Sequence, residues 1–558
     1  MKLILKLEYC VISGIILTFT SFAAENEPII KVHSGQLRGI KENNFFAFRG
    51  IPYAAPPIGQ LRFRDPKPVE PWSGVRDATK FGNSCTQFDR YSKKVLGSEN
   101  CLFLNVYTTN LTPQEPRAVM FWIHSSAFAI WSGNDDKFGP DYLVQKDVIL
   151  VTINYRLDIF GFLNLDDESV PGNQGLKDTM MALKWVQQNI GKFGGNPNSV
   201  TIFGQSSGSA MVHYLTLSPL TQGLFNKAIL QSSVASNPRS YVSYPMKDAA
   251  EQVSGIMGRS NEDLIVFLQN ADPSDLLKAI QSLEFREEGY LINFPFVPSV
   301  DSKSKFPFLS ILIIEAVKAG IRVPHLIGYT SKEAIRFKSG SYSQLYCVVI
   351  PDLTDEDYKE IAANPEKLLL HPNGKKFLEA RNISVSDMKT FFYGDKEISR
   401  ANAQQYIDLV SADFYWVNIH HVLEIQLSAS KIPSYLYKFD YYSKESAVVQ
   451  KMLNTDLEGT AHTEENFYLF NATILKKLGI DQPCKFPVEK VIQKQFLDLW
   501  TTFAKTGNPN LAVELGTVHW EPVDDPIEFK CLEISKDLKL IKEKNLLYQL
   551  KTQENVKT

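Results

Sequence analysis

Several features that would assign this chain to other functional classes are missing from its sequence. The 59 Lys and Arg residues are balanced by 62 Asp and Glu residues, so the net charge is −3 and no basic excess points to a nucleic acid. Neither the H-E-x-x-H pattern of a zinc peptidase nor the G-x-x-x-x-G-K-[ST] loop of a phosphate site occurs. We therefore expect no metal, no cofactor and no nucleic-acid partner.

Long apolar runs are also scarce, and the one that stands out lies at the N-terminus. Lys2 and Lys6 precede an apolar stretch over residues 9–19, shorter than the roughly 20 residues that a membrane-spanning helix needs. The small residues of segment 21–23 then resemble a signal-peptidase site. We predict a signal peptide over residues 1–23, a secreted protein and no stable membrane anchor. An uncleaved anchor is the alternative.

No Gly/Ser linker, charge block or fixed-period repeat interrupts the rest of the chain. With 44% hydrophobic residues, the composition is that of a globular protein. We therefore expect residues 24–558 to form a single domain around one sheet. Three N-x-S/T sequons are predicted glycosylation sites in a secreted chain, at Asn110, Asn382 and Asn471.

Cysteine is rare, with six residues in 558. Cys10 lies within the predicted signal peptide. Cys85 and Cys101 bracket a short polar segment and are the strongest candidates for a disulfide in an oxidising compartment. The other three are an odd number, so either one is a free thiol or two of them pair: Cys347, Cys484 and Cys531.

Short apolar runs rich in β-branched residues recur between helical stretches, which is typical of strands buried on both faces of a mainly parallel sheet. These runs are residues 118–123, 148–153, 200–203, 227–230, 325–327 and 435–439. Between the second and third, residues 177–190 have apolar residues at helical spacing. Strand, helix, strand is the order of an α/β fold. We predict a large, mostly parallel central sheet flanked by helices, with residues 29–49 as an antiparallel edge.

The third predicted strand runs directly into the sequence Gly-Gln-Ser-Ser-Gly of residues 204–208, and a helical stretch follows. This is the order of a nucleophile elbow, in which a sharp turn lifts a serine hydroxyl above the sheet and glycines let the two backbones pass closely. The helix N-terminus favours a developing negative charge. Ser206 is preferred to Ser207 because only Ser206 has glycines at i−2 and i+2. A tight turn with incidental serines is the alternative.

A serine hydroxyl needs an imidazole to take its proton, and in this fold the chain order is serine, acid, histidine. Order and position leave five histidines: His371, His420, His421, His462 and His519. His462 is favoured because it stands in a loop of small residues, from which an imidazole can turn toward a strand end. Glu333 follows the strand near residue 330 and is the candidate acid that orients the imidazole. A surface histidine and a solvated glutamate are the alternatives.

Together these motifs resemble the type-B carboxylesterase and cholinesterase family, and most closely its secreted insect esterases. The resemblance is carried by residues 50–54, 61–63, 98–106, 154–157, 172–176, 193–195, 203–208 and 507–509, by Glu333 with Phe337, and by Gly459 with His462. It implies an α/β-hydrolase fold and a serine carboxylic-ester hydrolase with Ser206, Glu333 and His462 as its triad. It also implies a disulfide between Cys85 and Cys101 and an ion pair between Arg62 and Glu99.

The chain departs from the family pattern in the loop that supplies the oxyanion donors. Where the family has His-Gly-Gly-Gly or His-Gly-Gly-Ala, this chain has His124-Ser125-Ser126-Ala127. By position, the oxyanion donors are the backbone amides of Ser126, Ala127 and Ser207. A Cβ in place of glycine costs conformational energy where φ is positive. We therefore expect an active but slower or narrower esterase.

Clues to the substrate are few. Between Cys85 and Cys101 no tryptophan is present to hold a quaternary ammonium, which argues against acetylcholine. Gln205 replaces the commoner glutamate, as in juvenile hormone esterases, whereas Asp178-Thr179 departs from that group. Four aromatic residues are either pocket wall or core: Phe121, Trp122, Phe128 and Trp131. We expect a small apolar ester; a juvenile-hormone-type esterase, a non-catalytic binding relative and an interfacial lipase are the alternatives.

Overall fold

The computed structural model describes residues 27–89, 92–125, 127–292, 294–337, 353–511 and 518–552. The predicted signal peptide, Ser126 and Cys347 therefore lie outside the described residues. Within the described part of the chain, no helix has both the length and the apolar character needed to cross a membrane.

An eleven-stranded sheet forms the centre of the described structure. In chain order its strands are β1 (Ile40–Glu42), β2 (Phe45–Pro52), β3 (Phe103–Thr108), β4 (Arg117–Ile123), β5 (Ile149–Ile153), β6 (Gly195–Gln205), β7 (Lys227–Gln231), β8 (His325–Thr330), β9 (Ser434–Phe439), β10 (Glu528–Ile534) and β11 (Lys539–Lys544). Across the sheet the order is β1-β2-β3-β5-β4-β6-β7-β8-β9-β10-β11. The pairs from β5 to β10 are parallel and the outer pairs antiparallel, so the predicted mostly parallel sheet is confirmed.

The six predicted strands correspond to β4 through β9, while the prediction for residues 29–49 is only partly right. Strands β1 and β2 do lie at an antiparallel edge of the central sheet. Ile29–Val32 and Gly35–Arg38 instead form a separate three-stranded sheet with Val75–Asp77. Smaller two-stranded pairs are Gln87–Asp89 with Lys94–Leu96, Asn164–Asp167 with Val170–Pro171, and Arg286–Glu287 with Tyr290–Leu291.

Helices surround the sheet. Those of seven or more residues are α1 (Gln174–Asn189), α2 (Ser207–Leu217), α3 (Met246–Ile256), α4 (Leu264–Asn270), α5 (Pro273–Gln281), α6 (Asp355–Ala363), α7 (Pro372–Glu379), α8 (Val385–Tyr393), α9 (Ala403–Ser411), α10 (Val417–Ala429), α11 (Pro487–Thr506) and α12 (Leu546–Thr552). Shorter α-helices are Asp135–Phe138, Asp158–Phe162, Ile313–Ala316, Pro365–Leu368, Val448–Leu453, Asn466–Leu469 and Ile474–Lys477. A π-helical turn, Ala412–Trp416, joins α9 to α10.

Strand β4 shows why the central strands are apolar throughout. Val119, Phe121 and Ile123 belong to a core cluster that includes residues of α1 and α2. Met120 and Trp122 point to the opposite face, in a cluster that includes residues of α11. Since successive side chains of a strand alternate between faces, a strand covered on both sides has no polar face.

The parallel centre also determines where polar side chains gather. Parallel strands end at the same edge of a sheet, and the chain leaves β6, β7, β8 and β9 there. Ser206 follows β6 directly, and Glu333 comes three residues after β8 ends. The sheet order thus brings together segments that are far apart in the sequence.

Candidate active site

Ser206 occupies the corner between β6 and α2, half-buried at the edge of the sheet. Its backbone has φ 57° and ψ −127°, a conformation that costs a non-glycine residue about 1–3 kcal/mol. Its amide donates to the carbonyl oxygen of Gln231 at 2.8 Å, which fixes the corner to β7. A strained turn of this kind between strand and helix is the backbone conformation that a nucleophile elbow requires.

The two flanking glycines have the steric role that the sequence predicts. A Cβ on Gly208 would lie 2.2 Å from the carbonyl oxygen of Ile123, far inside van der Waals contact. A Cβ on Gly204 would lie 2.6 Å from the backbone of Gly208. Strand β6 and helix α2 can therefore pass this closely only without side chains at either position.

Glu333 and His462 form a buried pair, although they are 129 residues apart. Nδ1 of His462 lies 2.5 Å from Oε2 of Glu333, and both side chains are 0% exposed. The other carboxylate oxygen of Glu333 accepts from the amide of Thr330 at 2.8 Å, so the carboxylate has a fixed orientation. Because Nδ1 faces a carboxylate, it carries the proton in the neutral imidazole and Nε2 is the acceptor.

Backbone contacts hold the loop of His462 against the loop of Glu333. The amide of Lys332 donates to the carbonyl of Thr460 at 2.9 Å, and the amide of Thr460 donates to the hydroxyl of Ser331 at 3.3 Å. Lys332 and Ala461 also form an isolated parallel bridge. The pair therefore depends on loop-to-loop pairing as well as on its own hydrogen bond.

Two further side chains contact His462 that the sequence did not indicate. The ring of Tyr415, from the π-helical turn, lies 4.7 Å from the imidazole, centroid to centroid. The side-chain nitrogen of Gln205 lies 3.0 Å from Nε2 of His462. The contact of Gln205 could have been suspected because this residue lies next to Ser206 in the sequence. The contact of Tyr415 could not, because a π-helical turn breaks the 3.6-residue period by which helical residues are recognised.

Two buried acids follow His462 in the chain. Glu464 accepts from the amides of Val448 and Val449 at 2.8 and 3.0 Å, and burial raises its pKa to about 7. Burial, and next the nearby carboxylate of Glu333, raises the pKa of Glu465 to about 8. Of the three acids, Glu333 is the one whose carboxylate is shown to contact the imidazole.

The loop before the first short helix keeps a glycine-like backbone in spite of its side chains. Ala127, Phe128 and Trp131 have φ of 54°, 63° and 78°, all in the left-handed region. The amide of Phe128 donates to the hydroxyl of Ser207 at 3.4 Å, which connects this loop to the elbow. Ser126, the other predicted oxyanion donor, lies outside the described residues.

The contacts that the family resemblance implies around Cys85 are present. A disulfide joins Cys85 to Cys101. Arg62 donates to both carboxylate oxygens of Glu99, at 2.7 and 2.6 Å, and the two side chains are largely buried. Among the described residues, Cys484 and Cys531 are free thiols.

The four aromatic residues left open between pocket and core are buried in the core. Trp122 packs against the rings of Phe138, Phe203 and Phe470, at centroid distances of 5.2, 4.8 and 4.7 Å. Phe121 is 0% exposed. Phe128 packs on Phe162, and Trp131 packs on Phe138.

The three sequons differ in exposure. Asn110 and Asn382 are exposed. Asn471 is half-buried, and its side-chain oxygen accepts from Gln482 at 3.2 Å. No group of three or more His, Cys, Asp and Glu side chains in the described ranges is arranged to hold a metal ion.

A serine on a strained strand-to-helix corner, at the edge of a sheet of this order, defines the α/β-hydrolase class. The chain belongs to the carboxylesterase family, whose sequence pattern matches residues 26–553, and it is a carboxylic ester hydrolase. The functional class expected from the sequence is therefore confirmed.

Curated relatives and solved structures agree with this assignment. The chain is 32% identical to a juvenile hormone esterase of Tribolium castaneum over 512 residues, covering 87% of this chain and 84% of the relative. It is 31% identical to a carboxylic ester hydrolase of Bombus ignitus over 548 residues, covering 95% and 94%. The crystal structure of juvenile hormone esterase from Manduca sexta, with OTFP covalently attached, aligns with a TM-score of 0.79 at 28% identity, covering 94% of this chain and 98% of that one.

Proposed function

We propose that this esterase works through an acyl-enzyme on Ser206, with His462 as general base and Glu333 as the acid that orients it. The observation that carries the proposal is the buried imidazole, held through Nδ1 by Glu333 at 2.5 Å while Nε2 faces the elbow residue Gln205. An imidazole fixed in this tautomer can accept a proton only at Nε2, the nitrogen that lies beside the residue preceding Ser206.

The chemistry follows from these roles. Ser206 Oγ attacks the carbonyl carbon of the ester as its proton passes to Nε2 of His462, and Glu333 stabilises the imidazolium. The backbone amides of Ser126, Ala127 and Ser207 donate to the negative oxygen of the tetrahedral intermediate. The alcohol leaves with the proton from His462. A water molecule, deprotonated by the same imidazole, then attacks the acyl-enzyme, and the acid is released as His462 returns the proton to Ser206 Oγ.

We further propose that the serines in the oxyanion loop slow the reaction or narrow its range of substrates. What supports this is the left-handed backbone of the same loop at Ala127 and Phe128, which follow the two serines, although Ser125 itself does not have a positive φ. Such conformations cost free energy in non-glycine residues, and the cost can be relieved by a shift of the loop. A shift of one donor away from the oxyanion would reduce the rate by up to about 100- to 1000-fold.

Replacing Ser125 and Ser126 with glycine is expected to raise kcat for a short-chain aryl ester, by as much as about 100-fold if one donor is misplaced. The measurement is steady-state hydrolysis by the native chain and by the Ser125→Gly, Ser126→Gly variant. Ser282→Gly, an exposed serine at the end of α5, controls for general effects of a glycine. Equal rates for the native chain and the double variant would exclude a damaged oxyanion hole.

A juvenile-hormone-type ester is a second candidate substrate. It is favoured by Gln205 beside the nucleophile and by relatives named as juvenile hormone esterases in Tribolium castaneum and Heliothis virescens, at 32% and 31% identity. Thr179, which departs from that group, speaks against it. The ratio of kcat/KM for juvenile hormone to that for the short aryl ester discriminates the two candidates.

We also propose that the chain is secreted after cleavage behind residue 23, folds as a single domain over residues 24–558 and is N-glycosylated. The disulfide between Cys85 and Cys101 is consistent with an oxidising compartment. Asn110 and Asn382 are the better-supported glycan sites because they are exposed, whereas Asn471 is half-buried and hydrogen-bonded. Mass analysis of the secreted protein before and after glycosidase treatment tests both the processing and the sites.

A further inference from the structure

The amide of Gln205 occupies the space next to the atom on which the proposed mechanism depends. Its nitrogen lies 3.0 Å from Nε2 of His462, and the side chain is 0% exposed. Its oxygen is also buried and has no hydrogen-bond partner among the described residues. Burying a carbonyl oxygen without a hydrogen-bond donor costs free energy. A hydrogen bond from the amide nitrogen is therefore needed to offset that cost.

The tautomer of His462 explains the orientation of this amide. Nδ1 donates to Glu333, so Nε2 presents a lone pair. The amide nitrogen of Gln205 can donate to that lone pair. The amide oxygen could not occupy the same place favourably, because both it and Nε2 are hydrogen-bond acceptors. The observed orientation therefore matches the neutral imidazole, in the protonation state that a general base needs.

We propose that Gln205 is a positioning residue that donates to Nε2 of His462 in the free enzyme, stabilises the neutral imidazole until the hydroxyl of Ser206 replaces the amide at that lone pair, and so extends the activity of the enzyme to lower pH. The inference rests on the proposed function of His462 as general base. A donor on Nε2 favours the neutral form over the imidazolium, in which Nε2 carries a proton of its own. The base therefore stays unprotonated to a lower pH than it would without the amide.

The other groups that contact the imidazole, and the titratable groups near its partner Glu333 or next to it in the chain, are not altered by a substitution at residue 205. Glu333 contacts Nδ1, and Tyr415 stacks on the ring. Burial raises the pKa of Glu464 to about 7, and burial together with Glu333 raises that of Glu465 to about 8. Burial likewise raises the pKa of the Tyr329 hydroxyl, with Glu543 next, and of the Tyr437 hydroxyl, with Glu465 next; Glu333 adds a smaller effect at each. If the acidic limb of the pH profile shifts only when residue 205 is substituted, the shift is therefore caused by the loss of the Gln205 amide.

The test is the pH profile of kcat/KM for the native enzyme, Gln205→Met and Gln205→Glu. Methionine keeps the length of the side chain without an N–H, so the acidic limb should move up by about 0.5–1 pH unit, the equivalent of one neutral hydrogen bond. Glutamate can accept from the imidazolium, so its limb should move further in the same direction. Gln174→Met removes another buried amide, which donates to Phe63 at 2.8 Å, and should leave the limb in place.

An acidic limb that stays where it is in both residue 205 variants, or that moves down, overturns the proposal. If the methionine variant does not fold, as judged by its thermal unfolding, Gln205→Leu decides the question, because it also lacks the N–H and adds no charge that would itself raise the pKa of the imidazole. Failure of the proposed function has a different signature. In that case a His462→Ala variant would keep a near-native kcat/KM, whatever residue stood at position 205.

Discussion

Replacing Ser206 with alanine is expected to reduce kcat for a short-chain aryl ester on the order of 10⁴- to 10⁶-fold. The alanine keeps the Cβ, so the strained corner with φ 57° and the hydrogen bond to Gln231 can remain. Only the attacking oxygen is lost. The residual rate would come from oxyanion donors that still polarise the ester toward attack by water.

A nearby hydroxyl serves as the control for this substitution. Ser209 lies one turn further along α2, fully buried, and its hydroxyl donates to the carbonyl of Ser233 at 2.6 Å. Ser209→Ala should lose some stability but keep kcat within about tenfold of the native value, because this hydroxyl bonds to backbone and not to the imidazole. If both variants lost activity equally, the loss would reflect damage to the elbow and not removal of a nucleophile.

Glu333→Gln is expected to lower kcat by about 10³- to 10⁴-fold through the wrong tautomer of His462. The amide of Thr330 donates to one carboxylate oxygen at 2.8 Å, and in the variant the glutamine oxygen is the atom that can accept this bond. The glutamine NH₂ then faces Nδ1, which must become the acceptor. The proton moves to Nε2, where the base needs a lone pair.

Glu464→Gln is the matched control, since it removes a buried acid two residues after His462. Glu464 binds the amides of Val448 and Val449, so its loss affects the loop but not the tautomer. Steady-state rates at pH 8, with thermal unfolding measured in parallel, compare the two variants. A Glu333→Gln enzyme with near-native kcat would show that the carboxylate is not needed to orient the imidazole.

The central sheet could be predicted because its strands are covered on both faces. Such strands are continuously apolar, and β4 through β9 can all be recognised in the sequence as short apolar runs. The edge strand β11, Lys-Leu-Ile-Lys-Glu-Lys, faces solvent and has no such run. Ile29–Val32 alternates exposed and buried residues, and nothing in that pattern says which of two sheets it joins.

The candidate site was predictable to the extent that it follows chain order and a local motif. Ser206 comes from strand, turn and helix in sequence, and Glu333 from its place just after a strand. His462 was chosen among five histidines by its loop, and the family resemblance strengthened that choice. Tyr415 meets the imidazole only through a tertiary contact, which local sequence patterns do not record, whereas the contact of Gln205 could have been suspected from its place next to Ser206.

The oxyanion loop illustrates a different limit of the sequence. The replacement of glycines by Ser125 and Ser126 suggests that the backbone must change, because glycine alone adopts left-handed conformations at low cost. In the structure, Ala127 and Phe128 still adopt them, held in part by the bond from Phe128 to Ser207. The energetic effect of the substitutions therefore depends on neighbours as well as on the residues replaced.

The most direct test of the account is to find the atom that becomes acylated or phosphorylated. Incubation with an organophosphate, followed by peptide mass mapping, should place one adduct per chain on Ser206 and none on the Ser206→Ala variant. Esterase activity should fall in proportion to the labelled fraction. An adduct on a different residue, or full inhibition with Ser206 unmodified, would contradict the proposal that this hydroxyl is the nucleophile.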